Sequence, residues 1–469
     1  MDPTRYAEAT ASEIAQAVRK RAVSAVAVVR ACIARSERLE PRYNTIATPT
    51  FEEALRAAAR VDAALAEGRD PGPLAGVPVT VKDLIAMGGV RQSFGSRLLA
   101  DNVAAEDAPS VARLHAAGAC IVGKSTTSEL GSKAVGDSPL TGITRNPWNP
   151  ERTAGGSSAG AAAGVAAGLV PMALATDGGG SIRIPASFCG LFGIKARFGR
   201  VPVWPASPAP ALAHVGPITR SVADAALMLS VIAGPDPRDP ASLAAPVPDF
   251  AGSLAAGVQG LRLGWCPSFG DEHVDDEVLA ATRAAVAWLQ AQGAQVIELP
   301  PPFARDPAPA WNHFFYGGLA ARLAQLAPTE ALLDLVNPAL RSAVRQCVLA
   351  APEAQALWRQ VQGEADAVLA RCDALLTPTL PVTALPVGVD VPAGHPGRNA
   401  VDWSYFTYPF NLTGHAAATM PIGEDAQGLP IGLQIVAGAR GEEAMVLRVA
   451  AALERVHPIK LPWLALGSA

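Results

Sequence analysis

Two segments of this chain make the same join. Leu114-His115-Ala116-Ala117-Gly118 runs into Ala119-Cys120-Ile121-Val122, and Leu289-Gln290-Ala291-Gln292-Gly293 runs into Ala294-Gln295-Val296-Ile297. Each reads as a helix closed by a glycine and followed at once by a short buried strand. Repeated units of this kind predict an α/β fold: a large mixed, mostly parallel twisted sheet with helices covering both faces. Helical spacing agrees, since Leu55, Ala58, Val61 and Leu65 share one face, as do Val278, Ala281, Ala285 and Leu289. Half of the 469 residues are hydrophobic and 17% are charged, which is enough for a sizeable core. A chain this long ordinarily divides into two or three domains. No linker interrupts it, however, so a single domain is expected over 1–469, with a helical arm over about 1–70 and a core of motifs over about 74–220.

Charge and cysteine usage exclude several classes. The net charge is −4 with no basic tract, which argues against a nucleic-acid surface. Cysteines at 32, 120, 189, 266, 347 and 372 show no Cys-x-x-Cys pair and no metal-ligand spacing. They read as small core residues in a reducing compartment, and no metal or cofactor is expected. Met1 to Lys20 has no apolar signal core, and the apolar stretch Ala159 to Ala175 is cut by Pro171, so it reads as a packed helix followed by a strand rather than a membrane span. The expectation is a soluble cytoplasmic protein, monomer or homodimer, without membrane contact.

The chemistry lies in three islands: Val79-Thr80-Val81-Lys82-Asp83, Gly155-Gly156-Ser157-Ser158-Ala159-Gly160, and Ala175-Thr176-Asp177-Gly178-Gly179-Gly180-Ser181-Ile182-Arg183-Ile184-Pro185. Three glycines before Ser181 clear side chains from one stretch of backbone, so a substrate carbonyl can approach its N–H groups. An oxyanion hole is therefore expected over Gly178, Gly179, Gly180 and Ser181. A helix suggested from Ser181 to Cys189 would add its positive end, and Pro185 suits a first helical turn. A serine hydroxyl still needs a base, and no histidine is adjacent to either serine in sequence. Gly76 to Lys82 reads as a buried strand ending in a charge, where burial would lower a lysine pKa.

These islands resemble the amidase signature family, whose members cleave amide-like C–N bonds with two serines and a lysine. Lys82 to Ser157 spans 75 residues and Ser157 to Ser181 spans 24, separations the family tends to keep. The resemblance implies that Ser181 attacks, Ser157 relays the proton, and Lys82 accepts it and later helps protonate the leaving amine. It also implies a cis peptide at Gly156–Ser157, a hydrogen bond from Ser158, and support of the glycine loop by an Asp177–Arg183 ion pair. The family fold is a helix-covered sandwich around a long mixed sheet. Three positions depart from the family pattern: Ala159 replaces a glycine, Gly178 replaces a bulkier residue, and Ala196-Arg197 follow Lys195 where a proline and a small hydroxyl residue are usual.

Other motifs compete for the same chain. Gly118 to Ser125 matches the phosphate-loop pattern G-x-x-x-x-G-K-[ST], but the apolar strand lies between its glycines instead of before them. Gly156 to Gly160 fits the nucleophile elbow G-x-S-x-G around Ser158, yet polar residues and prolines precede it where a buried strand is needed. A Ser-His-Asp triad would require His214 or His415. The glutamine-hydrolysing component of the tRNA-dependent amidotransferase is a further reading. That component carries a Tyr- and Ser-rich motif where this chain has Trp311-Asn312-His313-Phe314-Phe315-Tyr316-Gly317-Gly318, whereas Trp403 to Gly414 looks like stand-alone amidases.

For the substrate the sequence offers loops rich in aromatics: Phe198, Trp204, Trp311, Phe314, Phe315, Tyr316, Trp403, Tyr405, Phe406, Tyr408 and Phe410, in a chain with 5% aromatics. They suggest an apolar or aryl-accommodating site, with Gly131 and Ser132 in its wall and Arg197 and Arg200 as polar handles at the rim. Small aryl amides, anilides and carbamates (urethanes) are the expected substrates.

Overall fold

The computed structural model describes residues 3–270, 273–346, 349–395, 397–438 and 442–465. Its strands are β1 (Ile46–Pro49), β2 (Pro78–Lys82), β3 (Cys120–Ser125), β4 (Asp137–Ser138), β5 (Gly142–Ile143), β6 (Met172–Asp177), β7 (Phe192–Lys195), β8 (His214–Thr219), β9 (Arg262–Trp265), β10 (Gln295–Glu298), β11 (Ala374–Pro378), β12 (Ala417–Glu424) and β13 (Pro430–Ala437). Eleven of them form one sheet in the order β1-β3-β2-β6-β8-β7-β12-β13-β11-β9-β10, and β4 and β5 pair separately. Strand β1, inside the first seventy residues, pairs antiparallel with β3 at the edge.

The two joins seen in the sequence are the return legs of two β-helix-β units. Helix Pro109–Ala116 and Gly118, at φ +83°, feed β3, which lies parallel to β2. Helix Asp276–Ala291 and Gly293, at φ +89°, feed β10, which lies parallel to β9. The triplets β3-β2-β6 and β11-β9-β10 are parallel, and the strands between them, β8, β7, β12 and β13, pair antiparallel.

Helices Ala159–Ala166 and Arg183–Phe188 pack against each other and the central strands, while helix Val222–Ile232 packs with helices Pro109–Ala116 and Glu443–Glu454. Helix Ala159–Ala166 is buried throughout, and Pro171 separates it from β6. The methyl of Ala159, one of the departures, fits because position 136 is glycine; a Cβ there would lie 2.5 Å from it. Cys32, Cys120, Cys189, Cys266 and Cys372 are buried free thiols, and Cys347 lies outside the described residues. Among the described residues no helix is long and apolar enough to cross a membrane, and no cluster of His, Cys, Asp or Glu could hold a metal ion.

Candidate active site

Strand β2 is buried along its length and delivers Lys82 at its C-terminal end. The Lys82 Nζ donates to Ser157 Oγ at 2.7 Å and to Thr176 Oγ1 at 2.9 Å. Burial drives the ammonium far below the ordinary lysine range, and the charge of Asp177 offsets this only in part. The amine is therefore held ready to accept a proton. Ser157 follows a cis peptide from Gly156 and stands just before helix Ala159–Ala166.

Ser181 sits at the end of the glycine loop after β6. The helix beyond it spans Arg183–Phe188 with Ile182 as its N-cap, so it begins two residues later than the sequence suggested. Ser181 and Ser157 line one cavity of about 170 Å³ together with Thr176 and Gly178. Among the described residues no hydrogen bond links Ser181 Oγ to Ser157. The backbone does link the two serine segments, since Ser158 N–H donates to the Ser181 carbonyl at 3.3 Å and Ser158 Oγ donates to the Thr176 carbonyl at 3.1 Å.

The orientation of the glycine loop is set by its carbonyls. Asn411 Nδ2 donates to the Asp177 carbonyl at 3.0 Å, Trp311 Nε1 to that of Gly178 at 2.8 Å, and Thr407 Oγ1 to that of Gly179 at 2.7 Å. A trans peptide points its N–H opposite to its C=O, so each of these bonds turns the following amide away from its donor. The Gly180 N–H is directed at Asp177 Oδ1, 2.7 Å away. This corrects the expectation for that residue, because its amide already has an anionic partner. The amides of Gly178, Gly179 and Ser181 have no acceptor among the described residues. Glycine is required sterically here: a Cβ at Gly179 would lie 2.5 Å from the Trp311 ring, and Gly180 has φ +127°.

Asp177 and Arg183 brace this loop. Both are fully buried, and the guanidinium reaches the carboxylate through Nε and Nη2 at 3.0 Å each. Burial alone would raise the Asp177 pKa, but Arg183 outweighs it and holds the carboxyl well below the usual range. Arg183 also donates to the Thr407 carbonyl, Gln434 Oε1 and Asn411 Oδ1. Removing it would leave a buried carboxylate unpaired, so Arg183→Ala is expected to destabilise the protein by about 3–5 kcal/mol, read as a lowered midpoint of denaturant unfolding. An unchanged midpoint would show that the pair does not brace the loop.

Several expected contacts lie elsewhere. Arg200 is 2% exposed and pairs with Glu442 and Glu443, away from the cavity, and Arg197 pairs with Glu442 at the surface. Burial of Arg200 is possible only because two carboxylates meet it, which no local sequence shows. Gly131 lines the cavity, and a Cβ there would come within 3.4 Å of Ser157 Oγ. Ser132 does not line it; its carbonyl accepts from Tyr316 Oη at 3.0 Å. Of the eleven aromatics named above, Trp204 and Phe315 reach the cavity wall. Trp403, Tyr405, Phe406, Tyr408 and Phe410 are buried core. The wall is instead completed by Leu84, Ile85, Phe94, Leu99 and Leu130, which sequence reasoning passed over; their only signal was nearness to Lys82.

The competing motifs lose their geometry. Strand β3 occupies the middle of the phosphate-loop match, and Lys124 is buried, donating to the Ile85 carbonyl near Asp83. His214 contacts the Leu212 carbonyl and Lys195, and His415 lies 3.3 Å from Asp366. Neither makes a hydrogen bond to Ser157, Ser158 or Ser181 among the described residues.

Comparison with known proteins decides the family. The sequence profile of the Amidase family matches residues 27–447. The chain belongs to the amidase signature family. This amidase signature hydrolase is an enzyme acting on C–N bonds. It is 38% identical to an acylamidase of Rhodococcus erythropolis, over 96% of this chain and 95% of that one. It is 34% identical to the GatA-type component of the glutamyl-tRNA(Gln) amidotransferase of Geobacter metallireducens, over 95% and 96%. Among solved structures, a bacterial aryl acylamidase of the family superposes with a TM-score of 0.89 at 30% identity, covering 96% of each chain.

Proposed function

We propose that this hydrolase cleaves small aryl amides and anilides, with carbamates next, through an acyl-enzyme on Ser181, the whole chain acting as one catalytic domain. Neutral Lys82 takes the Ser157 proton while Ser157 takes that of Ser181, and Ser181 Oγ bonds to the acyl carbon. The carbonyl oxygen becomes an oxyanion facing the amides of Gly178, Gly179 and Ser181. The C–N bond breaks as the relay returns its proton to the leaving amine, and water then releases the acid.

The observation that carries the substrate class is the cavity wall. Leu84, Ile85, Phe94, Leu99, Leu130 and Phe315 make it largely apolar. Free glutamine, the substrate class of the alternative reading as an amidotransferase component, would bring an ammonium and a carboxylate into that wall. Of the charged residues lining it, Asp177 is already held by Arg183 and Arg322 reaches Gln325 at an exposed position. Burying unpaired charges is costly, so neutral aryl substrates fit better, in keeping with the similarity to acylamidases.

A panel of an anilide, an aliphatic amide, an aryl carbamate and free glutamine tests this. The anilide is expected to give the highest kcat/KM, about 100-fold or more above glutamine, in line with a few kcal/mol of lost desolvation. Turnover confined to glutamine, or appearing only with a partner protein, would overturn the proposal in favour of the amidotransferase reading.

A further inference from the structure

Helix Pro109–Ala116 turns its amino end toward the active-site cavity, which Ala108 and Ser110 both line. That end is uncapped. Ala108, at the N-cap, has no side-chain acceptor, Pro109 has no N–H, and the first intrahelical bond runs from Ala112 N–H to the Ala108 carbonyl. The amides of Ser110 and Val111 thus have no acceptor among the described residues, in a place where helices ordinarily satisfy them with a cap, water or ligand.

A second observation is independent of the helix end. Ser110 is 1% exposed, and its Oγ has no hydrogen-bond partner. Buried hydroxyls are nearly always bonded, and this one belongs to a wall that is otherwise mainly apolar. A hydroxyl and two amides gathered at a helix amino end are donors, so they suit an oxygen acceptor.

The surrounding charges choose between an anion and a neutral oxygen. Glu106, just before the helix, is turned to Trp204 Nε1 and Arg238. Lys124 lies beneath the floor and is taken up by the Ile85 carbonyl and Asp83. Arg322 is engaged with Gln325 at an exposed position. A carboxylate would therefore be buried without a free counter-ion, which a neutral carbonyl avoids.

We propose that Ser110 and the uncapped first turn form a subsite for a second, neutral carbonyl-type oxygen of the substrate, separate from the carbonyl that is cleaved. This rests on the reading as a small-amide hydrolase, but its test does not need turnover. The Ser181→Ala protein is titrated calorimetrically with two isosteric pairs: para-acetyl against para-isopropyl acetanilide, and the anilide of 4-oxopentanoic acid against that of 4-methylpentanoic acid. In at least one pair the oxygen-bearing member is expected to bind about tenfold more tightly, and adding Ser110→Ala should shrink that preference to about twofold or less. Equal binding within both pairs, or a preference that survives Ser110→Ala, would overturn the subsite. Absence of anilide turnover by the unmutated enzyme would instead overturn the substrate class and leave the binding result to stand on its own.

Discussion

Replacing Lys82 by alanine is expected to lower kcat/KM by about 10²–10⁴-fold, the range that a positioned acid–base group supplies, while the fold survives. The pH profile follows from the same residue. Burial lowers the Lys82 pKa far below its ordinary 10.5, and only the free amine can accept the Ser157 proton. Activity of the unmutated enzyme should therefore rise with pH through that depressed value, and Lys82→Ala should lose this limb. Stability carries a matching sign. The unfolded chain keeps the lysine proton up to about 10.5, whereas the folded one gives it up earlier, so between those values stability rises with pH. A folded Lys82→Ala protein with near-normal turnover, or an unshifted activity limb, would remove Lys82 from the relay.

Ser181→Ala should be the most damaging single substitution, with turnover reduced by about 10⁴-fold or more, because the attacking atom and the acyl-enzyme disappear together. Ser157→Ala should fall between Ser181→Ala and the native enzyme, since a water can replace part of a relaying hydroxyl. Single-turnover and steady-state rates on an anilide check both. Residual activity of Ser181→Ala above that of Ser157→Ala would exchange their roles.

The candidate site was legible because its residues come as short islands at fixed separations, and chemistry of this kind needs small residues beside the nucleophile. Lys82, Ser157 and Ser181 stand 75 and 24 residues apart, and the cavity brings both serines together beside the lysine. The two βαβ returns were legible for a similar reason, since each is written in about ten consecutive residues. The antiparallel middle of the sheet was not. It depends on pairings such as Lys195 with Ala417, strands more than two hundred residues apart with no local signature. The same distance hid the supports of the glycine loop. Trp311, Thr407 and Asn411 turn its carbonyls outward from sites 133, 228 and 234 residues away, so the aromatic run 403–410 reads as pocket wall in sequence but serves as packing and bracing. Arg200 was misplaced by the ordinary rule that arginine seeks solvent; Glu442 and Glu443 override it.

The proposed chemistry turns on Ser181 being the nucleophile, and a serine-directed sulfonyl fluoride tests that most directly. After labelling of the native enzyme and proteolysis, mass spectrometry should find one adduct per chain on the peptide carrying Ser181, and labelling should slow sharply in Lys82→Ala. An adduct on Ser157 or Ser158, with Ser181 unmodified, would contradict it.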